Sequence, residues 1–147
     1  MVTIKRLCVL VLGAFLLFGL TSCAPRETTV EKLVGVNFDE VDEILFFNGT
    51  TGKEYLCSDS EQIRAFLDQF KGVKVRLQDD QSPRMGGGIN AHLYKDGKEI
   101  GVFSYTEGRL VNDRAFYDLI PAFSREDYNK WYDKINELGQ LAPGGIQ

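Results

Sequence analysis

His92 is the single histidine in this chain of 147 residues, so any Ser–His or Cys–His mechanism would have to use it. It lies between Ala91 and Leu93 in a run that reads as a strand. A lone histidine there reads as a surface or cross-strand residue, and no G-x-S-x-G elbow accompanies it. Cys57 ends another apolar run and reads as a small buried side chain. Zinc would need HExxH or paired cysteines, and neither is present. Gly86-Gly87-Gly88 has the composition of a phosphate cradle. It leads into a strand, however, and lacks the Gly-Lys-Ser/Thr that follows such a loop, so it reads as a flexible loop or a bulge. Asp39, Glu40, Asp42 and Glu43 lack the Asp-x-Asp-x-Asp-Gly spacing of a calcium loop and read as a solvated turn, as do Asp79 and Asp80. No catalytic set, metal site or cofactor is implied. What remains is a candidate binding set: Asp79, Asp80 and Arg84 in the loop 78–88, with His92, Tyr94 and Tyr105 on adjoining strands.

Cys23 carries different chemistry. Lys5 and Arg6 form a basic start, and Leu7 to Leu20 is an apolar run interrupted only by Gly13 and Gly19. As a helix, that run would be roughly 21 Å long, short of the ~30 Å hydrocarbon core of a bilayer. It fits the apolar region of a cleaved leader better than a spanning helix. Leu20-Thr21-Ser22-Cys23 then resembles the lipobox of bacterial lipoprotein precursors: an aliphatic residue, two mostly small residues and the cysteine. That resemblance covers only the leader. It implies a diacylglycerol thioether on Cys23, cleavage between Ser22 and Cys23, and acylation of the new amine. Each buried CH₂ contributes about 0.8 kcal/mol, and one chain holds only marginally, so two or more give stable anchoring. The partner implied is the membrane, through the lipid on Cys23, at the cell membrane or outer membrane and on its extracytoplasmic side.

Loss of residues 1–22 would leave 125, enough for one domain with a proper core. Lys5 and Arg6 leave with the leader and no acidic residue does, so 15 basic side chains would face 21 acidic ones, a net charge near −6. That balance disfavours nucleic acid as a partner. Cys8 leaves with the leader and Cys23 carries lipid, so Cys57 has no partner for an intramolecular disulfide.

The elements that would position these residues follow in order. Residues 23–33 read as lipidated cysteine and tether, in which the nine polar residues 24–32 reach roughly 30 Å at about 3.3–3.6 Å per residue. A single domain spans 34–139. Val34 to Phe38 reads as a short strand, and 44–57 as a hairpin turning at Asn48-Gly49. Ser58 with Glu61 reads as a capping box, opening a helix over about 59–71 with Ile63, Phe66, Leu67 and Phe70 on one face. Val73, Val75 and Leu77 alternate with Lys74 and Arg76 as a strand with one wet face. Strands over 89–94, 99–105, 109–111 and 114–119 follow, with an Asp96-Gly97 turn. Ser124 caps a second helix whose inner face is Tyr128, Trp131, Ile135 and Leu138. Residues 140–147 read as a frayed tail. The expected fold is α+β with a predominantly antiparallel sheet: hairpin, helix, strand, three- to four-strand meander, C-terminal helix.

Beyond the lipobox no motif ties the domain to a family, although it resembles small envelope lipoproteins of unknown function. The expectation is a non-catalytic envelope module that binds a protein or another ligand, with an envelope protein as candidate partner. The alternative is a small envelope enzyme or an enzyme inhibitor using the 78–88 loop and the adjoining sheet. Cys23→Ala is expected to leave the precursor unprocessed and free of radiolabelled palmitate; normal labelling of that variant would refute lipidation at this residue.

Overall fold

The computed structural model describes residues 27–84 and 87–143. The leader 1–22, Cys23, residues 24–26 and the end of the tail, 144–147, lie outside the described residues. Elements run β1 (Glu27–Thr29), α1 (Val30–Val34), a 3-10 turn (Phe38–Glu40), β2 (Glu43–Asn48), β3 (Lys53–Cys57), α2 (Ser60–Leu67), β4 (Lys74–Leu77), β5 (Ile89–Lys95), β6 (Lys98–Tyr105), β7 (Arg109–Asn112), β8 (Ala115–Ile120), α3 (Arg125–Leu138) and β9 (Gln140–Leu141). The class is mixed α/β dominated by one antiparallel sheet, of nine strands among the described residues, in the order β1-β4-β8-β7-β6-β5-β2-β3-β9.

Alternation along the strands sorts side chains between two faces. On β2, Ile44 and Phe46 are buried and lie opposite Leu93 and Ala91 of β5. Phe103 and Tyr105 of β6, Leu110 of β7, Leu119 of β8 and Val75 of β4 continue that buried face. The helices pack on it. Phe66 of α2 is the hub, with ring centroids 4.8 Å from Phe46, 5.0 Å from Trp131, 5.1 Å from Phe70 and 5.7 Å from Tyr105. Edge-on and tilted contacts of this kind add to the area that the rings bury. The turn after β5 places Asp96 (φ 51°) and Gly97 (φ 71°) in the left-handed region that a two-residue hairpin requires.

One polar side chain, Asn48, is fully buried among the described residues. Its Oδ1 accepts the Thr50 and Thr51 backbone N–H groups at 2.9 and 3.3 Å, and its Nδ2 donates to Asn136 of α3 at 3.3 Å. Thr51 Oγ1 and Lys53 Nζ also donate to Asn136, at 2.9 and 2.6 Å. The β2–β3 turn is therefore fixed to α3 by satisfied polar contacts.

Five local expectations are corrected. The last part of the supposed tether belongs to the domain. Glu27 to Thr29 pair with β4, Val30 is fully buried, and its N–H donates to Val73 at 3.1 Å. Val34 to Phe38 is no strand, because Gly35 (φ 74°) closes α1 and Asn37 caps the 3-10 turn. The cap of α2 is Asp59, whose carboxylate accepts from Glu61 and Gln62 N–H, while Ser58 donates to Glu43 at 3.0 Å. The helix is shorter than expected and ends at Leu67. Gln140 and Leu141, expected to fray, pair with Glu54 and Lys53 at the edge of the sheet.

Phe66→Ala is expected to lower the free energy of unfolding by about 3–5 kcal/mol, read as a lower urea midpoint at unchanged slope. A loss under ~1 kcal/mol would mean that Phe66 is not the hub of the core.

Candidate functional site

The face of the sheet opposite the helices carries two cross-strand rows. Leu56, Leu45, His92 and Val102 stand side by side on β3, β2, β5 and β6. The next row is Phe47, Asn90, Ser104, Val111 and Phe116, on β2, β5, β6, β7 and β8. Leu56 and Val102 are 53% and 40% exposed, high for apolar side chains in the middle of strands.

The loop 78–88 is fastened across the second row at both ends. Where β4 leaves the sheet, the side chain of Gln81 replaces its backbone: Nε2 donates to the Phe116 carbonyl at 2.9 Å, and Oε1 accepts the Phe116 N–H at 2.9 Å. Arg84 then lies over the Phe116 ring, 5.4 Å from its centroid, and pairs with Asp80 at 3.1 Å. At the other end the Gly49 N–H donates to the Gly88 carbonyl at 3.0 Å. Gly87 presses against Thr50 so closely that a Cβ would stand 2.6 Å from the Thr50 nitrogen. Only glycine permits that approach. The turn receiving this end is the one that Asn48 and Asn136 hold in place.

Between the loop and the sheet lies a cavity of about 360 Å³, within the range of small-molecule pockets. Val111 and Phe116 form its apolar wall, Asn90, Ser104 and Thr106 its polar side, and Arg84 and Arg109 its cationic side. No carboxylate lines it among the described residues. Ser104 Oγ donates to Asn90 Oδ1 within the cavity wall. The Arg109 side chain has no hydrogen-bond or ion-pair partner among the described residues, although Asp118 is its cross-strand neighbour. The Asp118 carboxylate instead accepts from Gln78 Nε2 at 2.6 Å.

Of the residues singled out in the sequence, Arg84 lines this cavity and Tyr105 borders it. The Tyr105 ring, however, lies on the helix side with Phe70 and Phe123, and its hydroxyl is buried without a hydrogen-bond partner among the described residues. Burial, and secondarily Tyr128, push that hydroxyl well above the usual tyrosine range, so it serves the core and presents no polar handle to a ligand. Asp80 acts through Arg84, and Asp79 is its neighbour in the same loop. His92 and Tyr94 meet elsewhere on the open face, where Glu99 takes His92 Nδ1 at 2.9 Å and Tyr94 Oη at 3.4 Å. Cys57 is buried on the helix side, so it and His92 lie on opposite faces of the sheet. Among the described residues no three His, Cys, Asp or Glu side chains are grouped to hold a metal ion, and no helix is long and apolar enough to cross a membrane.

Sequence reasoning missed Asn90, Ser104, Arg109, Val111 and Phe116. Alternation marks each as belonging to one face of its strand, but only the register brings the five together. In comparisons with known proteins, no family model, no characterised sequence and no solved structure matches this chain.

Asp80 provides a test of the loop's fastening. Its carboxyl is held below the usual carboxylate range by the Ser82 side chain first, then by the Ser82 N–H, which donates to Oδ1 at 2.9 Å, and then by Arg84. A depressed folded-state value means that the contact contributes above the unfolded value of about 3.9 and is lost as pH falls through the lower, folded one. The Ser82 amide resonance is expected to hold steady from neutral pH down to about 4 and to move only below it. Asp80→Asn is expected to abolish that titration. A midpoint above the ordinary carboxylate value would show that the contact does not favour the ionised form.

Proposed function

We propose that this chain is an envelope lipoprotein, held at the membrane by lipid on Cys23, that binds a partner without catalysis through its open sheet face and the 78–88 loop. The observation that carries this reading is the one-sided covering of the sheet. Its helices occupy one face, and the other presents exposed Leu56 and Val102 beside a cavity roofed by a doubly fastened loop. Apolar surface left open in this way, with a polar surround, is what recognition surfaces offer. The enzymatic alternative needs Cys57, His92 and the loop carboxylates to share one pocket. Cys57 and His92 lie on opposite sides of a sheet, and Asp80 is paired with Arg84. The acidic composition disfavours nucleic acid, and the leader supports an extracytoplasmic address.

Photo-crosslinking in intact cells tests the face. A photoreactive side chain at Val102 or Leu56 is expected to yield discrete high-mass adducts, whereas one at Lys130, exposed on α3, yields none. Recovery of monomer alone from Val102 and Leu56 across several growth conditions would sink the proposal.

A further inference from the structure

The geometry points to a ligand for the cavity: we infer that it takes a small organic carboxylate with a flat apolar body, its charge gripped by Arg109. This deepens the binding role proposed above and rests on the same open face.

Three observations converge. The chain carries a net charge of −4, yet the cavity's described walls hold two guanidinium groups and no carboxylate. Arg109 is the uncommitted one. Its backbone is set in β7, where its carbonyl accepts the Thr106 N–H at 2.8 Å, while its side chain is unpartnered among the described residues. A planar guanidinium with five free N–H donors matches a carboxylate through two parallel hydrogen bonds. Arg84 is partly committed. Both of its bonds to Asp80 come from one terminal nitrogen, so Nε and the other terminal nitrogen keep their donors, and stacking on Phe116 fixes their direction.

The opposite side of the cavity sets the rest of the ligand. Val111 and Phe116 offer an apolar wall, and Ser104 and Asn90 are already bonded to each other. A bare ion would leave that wall wet and most of the 360 Å³ unfilled. An anion with a planar hydrocarbon body would cover it. Burying an apolar body against that wall adds a favourable contribution that inorganic anions forgo. A charged group meeting a fixed arginine in a partly enclosed cleft also interacts more strongly than it would in water.

The probe is 2-naphthoate, offered to the full chain in lipid nanodiscs. Binding is read by equilibrium dialysis with empty discs subtracted, and by amide shifts of Gly88, Ser104 and Arg109. Saturable binding is expected, with neutral 2-naphthamide at least 10-fold weaker. Arg109→Gln is expected to weaken 2-naphthoate at least 10-fold, while Arg114→Gln, an exposed turn arginine outside the cavity, leaves it unchanged. Equal binding of the amide, or an unaltered Arg109→Gln variant, overturns the inference. So does inorganic phosphate or acetate moving the same amides at the concentrations that 2-naphthoate needs, because the apolar body would then be idle. Absence of 2-naphthoate binding with the Val102 and Leu56 adducts retained overturns the inference and leaves the partner-binding face standing. Binding without those adducts leaves the cavity assignment standing and removes the partner-binding face.

Discussion

Burial on one side only is the constraint from which the rest follows. Phe66 gathers Phe46, Phe70, Tyr105 and Trp131 around itself, and so draws α2 and α3 onto the same face of the sheet. Close packing of aromatic rings tolerates little displacement. The helices are thereby seated on one face, and the opposite face is left to whatever loop can reach across it. The cavity exists because the helices are elsewhere.

The scaffolding and the cavity are joined by a short polar relay. Asn136 on α3 holds Asn48, Asn48 holds the turn that carries Gly49 and Thr50, and that turn receives Gly87 and Gly88. At the far side Gln81 stands in for a missing strand by offering Phe116 both a donor and an acceptor. A side-chain amide has the same hydrogen-bonding groups as a peptide unit, so it can complete a ladder without extended backbone. The described parts of the loop are thus fixed at both ends, unlike a free surface loop.

Sequence patterns made the class of fold legible where the signals were local. Ser124 caps α3 as its position suggested, with Asp127 N–H donating to Oγ at 3.1 Å, and the Ile63-Phe66-Leu67-Phe70 stripe is buried. Misreadings arose where two local signals competed. Ser58 and Asp59 are both good caps, and the carboxylate took the helix. Val34 to Phe38 has strand-forming residues, but Gly35 in the left-handed region ended α1 inside it. The cavity was mostly illegible for another reason. Arg84 stood out within its loop, but Asn90 and Ser104 are 14 residues apart and Gln81 and Phe116 are 35 apart. Pairings across such separations are set by strand register, which the alternation of one strand cannot specify.

The burial of Val30 and the pairing of β1 with β4 have a mechanical result. Only Ala24, Pro25 and Arg26 separate Cys23 from the first paired residue. Even drawn out straight, those links cover about 14 Å, roughly half the reach of the nine-residue spacer that composition alone suggested. With acyl chains on that sulfur, the β1 margin would ride next to the lipid headgroups as a pivot. The globule could swing and spin there but not range far outward.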